Sequence, residues 1–108
     1  MKLFFENITE NNRVPVESPL EATLSQALEV FEFLPENDGS SMGIVNDEQV
    51  IFQISKFNRF LWLVEIPEES KEGSWQKICS QSRCRKIIEE IFQGVDLLQV
   101  YDFKFEKY

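Results

Sequence analysis

An α+β fold, with a mainly antiparallel sheet and two helices on one of its faces, is what this chain of 108 residues predicts. Three observations predict it. Residues 49–55 and 60–66 are runs of β-branched, aromatic and aliphatic side chains joined by a short polar connection, the pattern of a β-hairpin. Two other segments, opening at Ser18 and Ser80, carry apolar residues at helical spacing behind a capping serine. The order of elements is strand, helix, three or four meander strands, helix, strand, and two helices cover only one side of such a sheet. The expected architecture is a two-layer sandwich in a single domain, residues 1–108.

Taken in order, residues 2–8 make a first strand centred on Leu3, Phe4 and Phe5, and 9–13 a polar connection. Pro15 and Pro19 bracket an extended piece, because each biases the residue before it away from helix. Ser18, Pro19 and Glu21 then read as N-cap, first helical position and capping-box acid. Leu20, Leu24, Ala27, Leu28 and Phe31 follow as one apolar stripe, which predicts a helix over 19–32 with Glu21, Gln26, Glu29 and Glu32 mostly off the stripe. Pro35 stops it at or before Leu34, and strand formers between Val30 and Leu34 compete for its last turn.

Residues 35–41 read as a loop, 42–45 as a short strand, and Asn46, Asp47 and Glu48 as the turn into the hairpin. Pro67 ends or edges the 60–66 strand. A solvated loop over 68–73 leads to a fourth meander strand at 74–78. Ser80 caps a helix predicted over 81–93, whose apolar face is Cys84, Ile87, Ile88, Ile91 and Phe92, with Gly94 as its stop. Residues 96–105 read as a last strand with Tyr101, Phe103 and Phe105 on one face. In the hairpin, Val50, Phe52 and Ile54 share a face, as do Phe60, Trp62, Val64 and Ile66, yet Ile51, Leu61 and Leu63 lie opposite. Apolar residues on both faces indicate a central position or a contact surface.

Net charge is −8, and it is unevenly placed. Residues 1–50 hold ten acidic groups against Lys2 and Arg13, whereas 51–108 are balanced, nine against nine. An acidic amino-terminal half repels nucleic acid and anionic membranes and attracts a basic protein; the competing reading is a surface that only keeps the chain in solution. No apolar run approaches the roughly 18 residues of a membrane helix. The opening residues, cut short by Glu6 and Asn7, do not make a signal peptide, so the expected location is the cytoplasm.

Catalytic chemistry finds little here. The chain has no histidine, which removes the commonest general base near neutral pH and the usual Ser-His and Cys-His pairings. Two cysteines, Cys79 and Cys84, are too few for a structural zinc site. Cys84 belongs to the apolar face of a helix, where cysteine acts as a small hydrophobe. Cys79, beside Arg83 and a helix start, is placed for a lowered pKa, and no disulfide between them is expected. Glu68, Glu69 and Glu72 lack metal-site spacing, and the stretch from Asp38 to Ser41 is neither an EF-hand nor a phosphate loop. Arg83, Arg85 and Lys86 form the one basic cluster, at a helix start that also favours anions. No catalytic, cofactor or metal residue is assigned. Trp62 is expected in the core and Trp75 at a rim or interface.

The pieces around Ser18 to Glu21, Trp62 to Glu65, Cys84 to Phe92 and Tyr101 to Glu106 give the chain a resemblance to small bacterial immunity proteins of contact-dependent and polymorphic toxin systems. The resemblance implies a non-catalytic role, binding and silencing a cognate toxin. The residues themselves make Glu21, Glu29, Glu32, Glu36, Asp38, Asp47, Glu48 and Trp75 the partner-binding candidates. The alternatives are a structural or adaptor subunit that forms a homodimer through the open sheet face, a small-ligand module, and an enzyme working through carboxylates, Cys79 or Tyr101.

Overall fold

The computed structural model describes residues 1–35 and 39–108. Its strands are β1 Lys2–Asn7, β2 Asn12–Val14, β3 Leu20–Glu21, β4 Ser41–Val45, β5 Ile51–Lys56, β6 Leu61–Glu68, β7 Gly73–Ser80 and β8 Lys104–Lys107. The helices are α1 Leu24–Glu32, α2 Gln81–Phe92 and the single-turn α3 Leu97–Val100. One sheet runs β2-β1-β4-β5-β6-β7-β8, and every described ladder is antiparallel. The four-strand meander β4 to β7 is the sheet's centre, as the sequence indicates.

Register divides the two faces. On the helix side, Leu3 opposes Ile44, which opposes Phe52; Met42 opposes Ile54, which opposes Val64; and Trp62 opposes Cys79. Ala27 and Phe31 of α1 and Cys84, Ile87, Ile88 and Ile91 of α2 close over them in one core. Phe31 and Trp62 meet with ring centroids 4.5 Å apart. The other side of the sheet carries Phe4, Ile51, Leu61, Leu63 and Ile78 around a polar centre. There Ser74 Oγ and Gln76 Nε2 each donate to Glu65 at 3.2 Å. None of the described helices covers that side.

Several expectations are corrected. Ser18 does not cap the first helix. Leu20 and Glu21 pair with Leu3 and Lys2 as β3, and Ala22 N–H donates to the Met1 carbonyl at 3.0 Å. The helix begins five residues later than expected, where Thr23 and Gln26 form the capping box: Gln26 N–H donates to Thr23 Oγ1 at 3.2 Å and Thr23 N–H to Gln26 Oε1 at 2.9 Å. Backbone pairing to an existing strand edge outweighs the local cap signal. Glu21 is therefore on a strand, and Leu20 is exposed and off the apolar stripe. β2 and β3 share one edge of β1 in tandem, interrupted by the segment holding Pro15 and Pro19, which have no N–H to give a ladder.

Pro67 does not end β6. The strand continues to Glu68, and Pro67 lies past Glu65, the last residue that β5 pairs. The single strand expected over 96–105 is replaced by α3, an extended stretch and the shorter β8. Asp96 caps α3 by accepting Leu98 N–H at 3.2 Å. Phe60 lies in a turn and is exposed, so it does not join the Trp62 face. By contrast α2 keeps its expected cap, Arg83 N–H donating to Ser80 Oγ at 3.2 Å. Gly94 at φ +80° ends it, with Gly94 N–H on the Ile91 carbonyl and Val95 N–H on that of Glu90.

Candidate functional site

The acidic candidates do not form one surface. Glu36 and Asp38 lie outside the described residues. Asp47 and Glu48 stand on the β4–β5 turn, which Asn46 holds: its Oδ1 accepts Glu48 N–H at 3.0 Å and Val50 N–H at 2.9 Å. Gln49, at φ +67°, closes the turn onto the Asn46 carbonyl at 3.0 Å. The Asp47 and Glu48 side chains take no part in these bonds and point to solvent. Glu21 joins them from β3, because the Met1 amine sits 3.4 Å from Glu21 Oε2 and 3.8 Å from Asp47 Oδ1.

Glu29 and Glu32 are on α1, which runs away from this end toward Asn7, whose side-chain amide reaches the Phe33 carbonyl. Glu32 is paired with Arg85 of α2. Glu29 borders a separate groove between α1 and the β1–β2 hairpin, floored by Phe5, Val30 and Leu34. Trp75 lies half-buried at the β7–β8 margin. It stacks on Phe105 at 5.2 Å, and its indole N–H donates to Glu68 at 3.3 Å. Its ring is engaged within the chain, apart from the acidic candidates at the Asp47 end and on α1.

What the fold adds at the Asp47 end is a cavity of about 360 Å³ between the β4–β5 turn and the α2–α3 junction. Val50, Ile66, Val95 and Leu98 give it apolar walls, and Asp47, Glu48 and Asp96 stand in its lining. The Met1 amine, 3.8 Å from Asp47, is the one cation among the lining residues; no lysine or arginine side chain joins it. Sequence reasoning missed Asp96 and Leu98, which it placed in a strand. The signal was present, since Asp96 follows the Gly94 stop and precedes Leu97 and Leu98 as a helix cap does.

The two thiols are free and adjacent in space. A hydrogen bond from Cys84 holds the Cys79 thiol below its usual pKa against the opposing effect of burial, and the Lys77 and Arg83 charges help. The same bond, together with burial, pushes the Cys84 thiol far up. Of the basic cluster, Arg85 is spent on Glu32 and lies near Glu89, while Arg83 donates to Tyr101 Oη at 3.4 Å. Tyr101 in turn donates to Glu90. Among the described residues no three metal-ligating side chains gather, and no helix is long and apolar enough to cross a membrane.

Compared with protein-family models, with curated proteins and with solved structures, the chain matches none.

Proposed function

We propose that the protein is a non-catalytic binding domain for a basic protein partner, and that within this class it acts as an immunity-type inhibitor of a bacterial toxin domain. One observation carries the reading: Asp47, Glu48 and Asp96 line an apolar-walled cavity where the Met1 amine, 3.8 Å from Asp47 and shared with Glu21, is the one cation among the lining residues, so the charge at this end stays negative. Opposite charge across an interface steers encounter and excludes wrong partners, and apolar walls supply the area that holds the complex once formed. The same negative charge works against nucleic acid and anionic membranes.

The test is direct. The products of neighbouring genes are purified, and the activity of any toxin-like domain among them is measured with and without this protein. Stoichiometric loss of that activity, with an association rate that falls as salt rises, is the expected result. Full activity of every neighbouring product at micromolar concentrations of this protein removes the immunity role. A second reading, a homodimer through the helix-free side of the sheet, is favoured by the row of Leu61, Leu63 and Ile78 there. Light scattering of the pure protein separates the two: a stable dimer that hides these residues favours the second.

A further inference from the structure

Two cysteines meet where β7 turns into α2, and the binding role makes no use of them. We infer that Cys79 and Cys84 form a dithiol that hydrogen peroxide oxidises: Cys79 is the sulfur attacked, Cys84 the sulfur that resolves it, and the product is a reversible disulfide tying β7 to α2.

The start of α2 supplies the geometry. Ser80 is the N-cap of this helix, which makes Cys79 the residue before the cap and Cys84 the fourth residue inside. Those two positions are the contact of a hydrophobic staple, where side chains on either side of a cap pack together. Here both members of the staple are thiols. Both are free and buried in the one core, and Cys84 donates a hydrogen bond to the Cys79 sulfur. From the sequence a bridge between them is not expected, because it needs a distorted turn. The strand-to-helix turn answers that objection by bringing the sulfurs into contact. Cys79 is fixed from one side by its pairing with Trp62 across the ladder. The bond closes the sulfurs to about 2 Å, and the first turn of α2 is the part placed to yield.

The two sulfurs are not equivalent. Cys79 is 7% exposed and Cys84 0%, so a reagent arriving from solvent meets Cys79 first. Peroxide is small enough for so narrow an opening. The Cys84 hydrogen bond and the Lys77 and Arg83 charges favour the Cys79 thiolate, the form that reacts. The thiolate attacks one peroxide oxygen: an S–O bond forms, the O–O bond breaks, and hydroxide leaves and takes up a proton. Cys79 is then a sulfenic acid, the species that condenses with a neighbouring thiol. Cys84 stays protonated, because the same hydrogen bond and its burial raise its pKa. Its sulfur attacks Cys79 Sγ while its proton passes to the departing hydroxyl, so an S–S bond forms, the S–O bond breaks and water leaves. Two thiols have given up two hydrogens and two electrons, and one peroxide has become two waters.

The test treats the intact, folded chain with a small excess of hydrogen peroxide, stops the reaction with catalase, blocks remaining thiols in denaturant and maps the peptides. Expected is a Cys79–Cys84 linkage within one chain, formed at the expense of both free thiols and reversed by dithiothreitol. Dimedone, which traps sulfenic acid, should label Cys79 in Cys84→Ala and leave the wild type almost unlabelled, since there Cys84 resolves the acid first. Cys79→Ser should slow thiol loss about tenfold or more, because the remaining thiol is buried and protonated. Both thiols intact while free methionine added to the same tube is oxidised would overturn the inference. So would a linkage between two chains, Cys79 carried to sulfinic acid with Cys84 untouched, or Cys79→Ser reacting as fast as the wild type. Should Cys84→Ala not fold, the wild-type peptide map and the Cys79→Ser rate decide it without that variant.

Discussion

Trp62 buries its indole N–H without a hydrogen-bond partner among the described residues, while its ring packs on Phe31 and lies under the Lys56 ammonium at 4.7 Å. The ring's apolar burial thus outweighs an unmet donor whose desolvation costs about 1–3 kcal/mol. Trp62→Ala should cost about 3–5 kcal/mol. Trp62→Phe removes the unmet donor along with part of the ring, so urea unfolding should show it losing less than half as much. An equal loss for both would mean that the N–H is satisfied. The cysteines offer a second measurement. Cys79 is the thiol whose pKa is lowered and Cys84 the one whose pKa is raised, so iodoacetamide under native conditions should modify Cys79 first and reach Cys84 only on unfolding. Rapid native labelling of Cys84 would contradict its place among Ile87, Ile88 and Ile91. A third concerns Asp102, held below the usual carboxylate range first by the hydrogen bond from Lys77, at 2.7 Å. A depressed folded-state pKa gives stability that is present above the unfolded value and is lost as pH falls through the folded one. Asp102→Asn should therefore flatten the acid limb of the stability curve below the ordinary carboxylate range and leave the limb above neutrality unchanged.

Elements show where local signals were enough and where they were not. In α2 the cap, the stripe and the glycine stop all agree, and the helix forms where the sequence places it. In α1 the stripe from Leu24 to Phe31 is right but the start is not, because the edge of β1 was free to recruit Leu20 and Glu21. Local chemistry contains no term for a distant backbone edge. Residues 96–105 depart from expectation for a different reason: the alternation of Tyr101, Phe103 and Phe105 reads as a long strand, while the cap at Asp96 closes only one turn of helix. Of the cavity, the Asp47 and Glu48 turn was legible, but its opposite wall depends on the α2–α3 junction and was not. Two element-scale outcomes follow from the observed packing. Thr23→Ala should cost about 1 kcal/mol through the lost cap, whereas Ser18→Ala should cost next to nothing, the reverse of what the sequence alone implies. Gly43→Ala should be costly, since an added Cβ would lie 1.9 Å from the Phe4 ring, which rests flat on that glycine. Overpacking of this kind costs about 1–3 kcal/mol. The double variant with Phe4→Ala should recover part of that loss if the ring is the cause, and a simple sum of the two single losses would show that it is not.

At the scale of the whole molecule, the excess negative charge is divided by the fold. Glu32 is offset by Arg85, and Glu21 and Asp47 share the Met1 amine. Glu48 and Asp96 have no basic side chain beside them in the cavity lining, and Glu29 faces a different groove. The molecule measures 34 × 29 × 25 Å. At about 0.01 M salt the screening length is roughly 30 Å, so nearly every charge feels every other; at about 0.15 M it is roughly 8 Å and only neighbours interact. A net charge of −8 then favours expansion at low salt, and urea unfolding should show stability rising between these two concentrations. The cavity makes the prediction residue-specific. Asp47→Asn with Glu48→Gln should raise low-salt stability and shrink the salt effect, because repulsion at that end exceeds the weak attraction of Asp47 to the Met1 amine. Glu32→Gln should act oppositely, lowering stability by leaving Arg85 without its carboxylate. A chain whose stability ignored salt, or fell with it, would show that attractive pairs already balance the surface. The carboxylates of the cavity would then carry no stored repulsion for a basic partner to relieve.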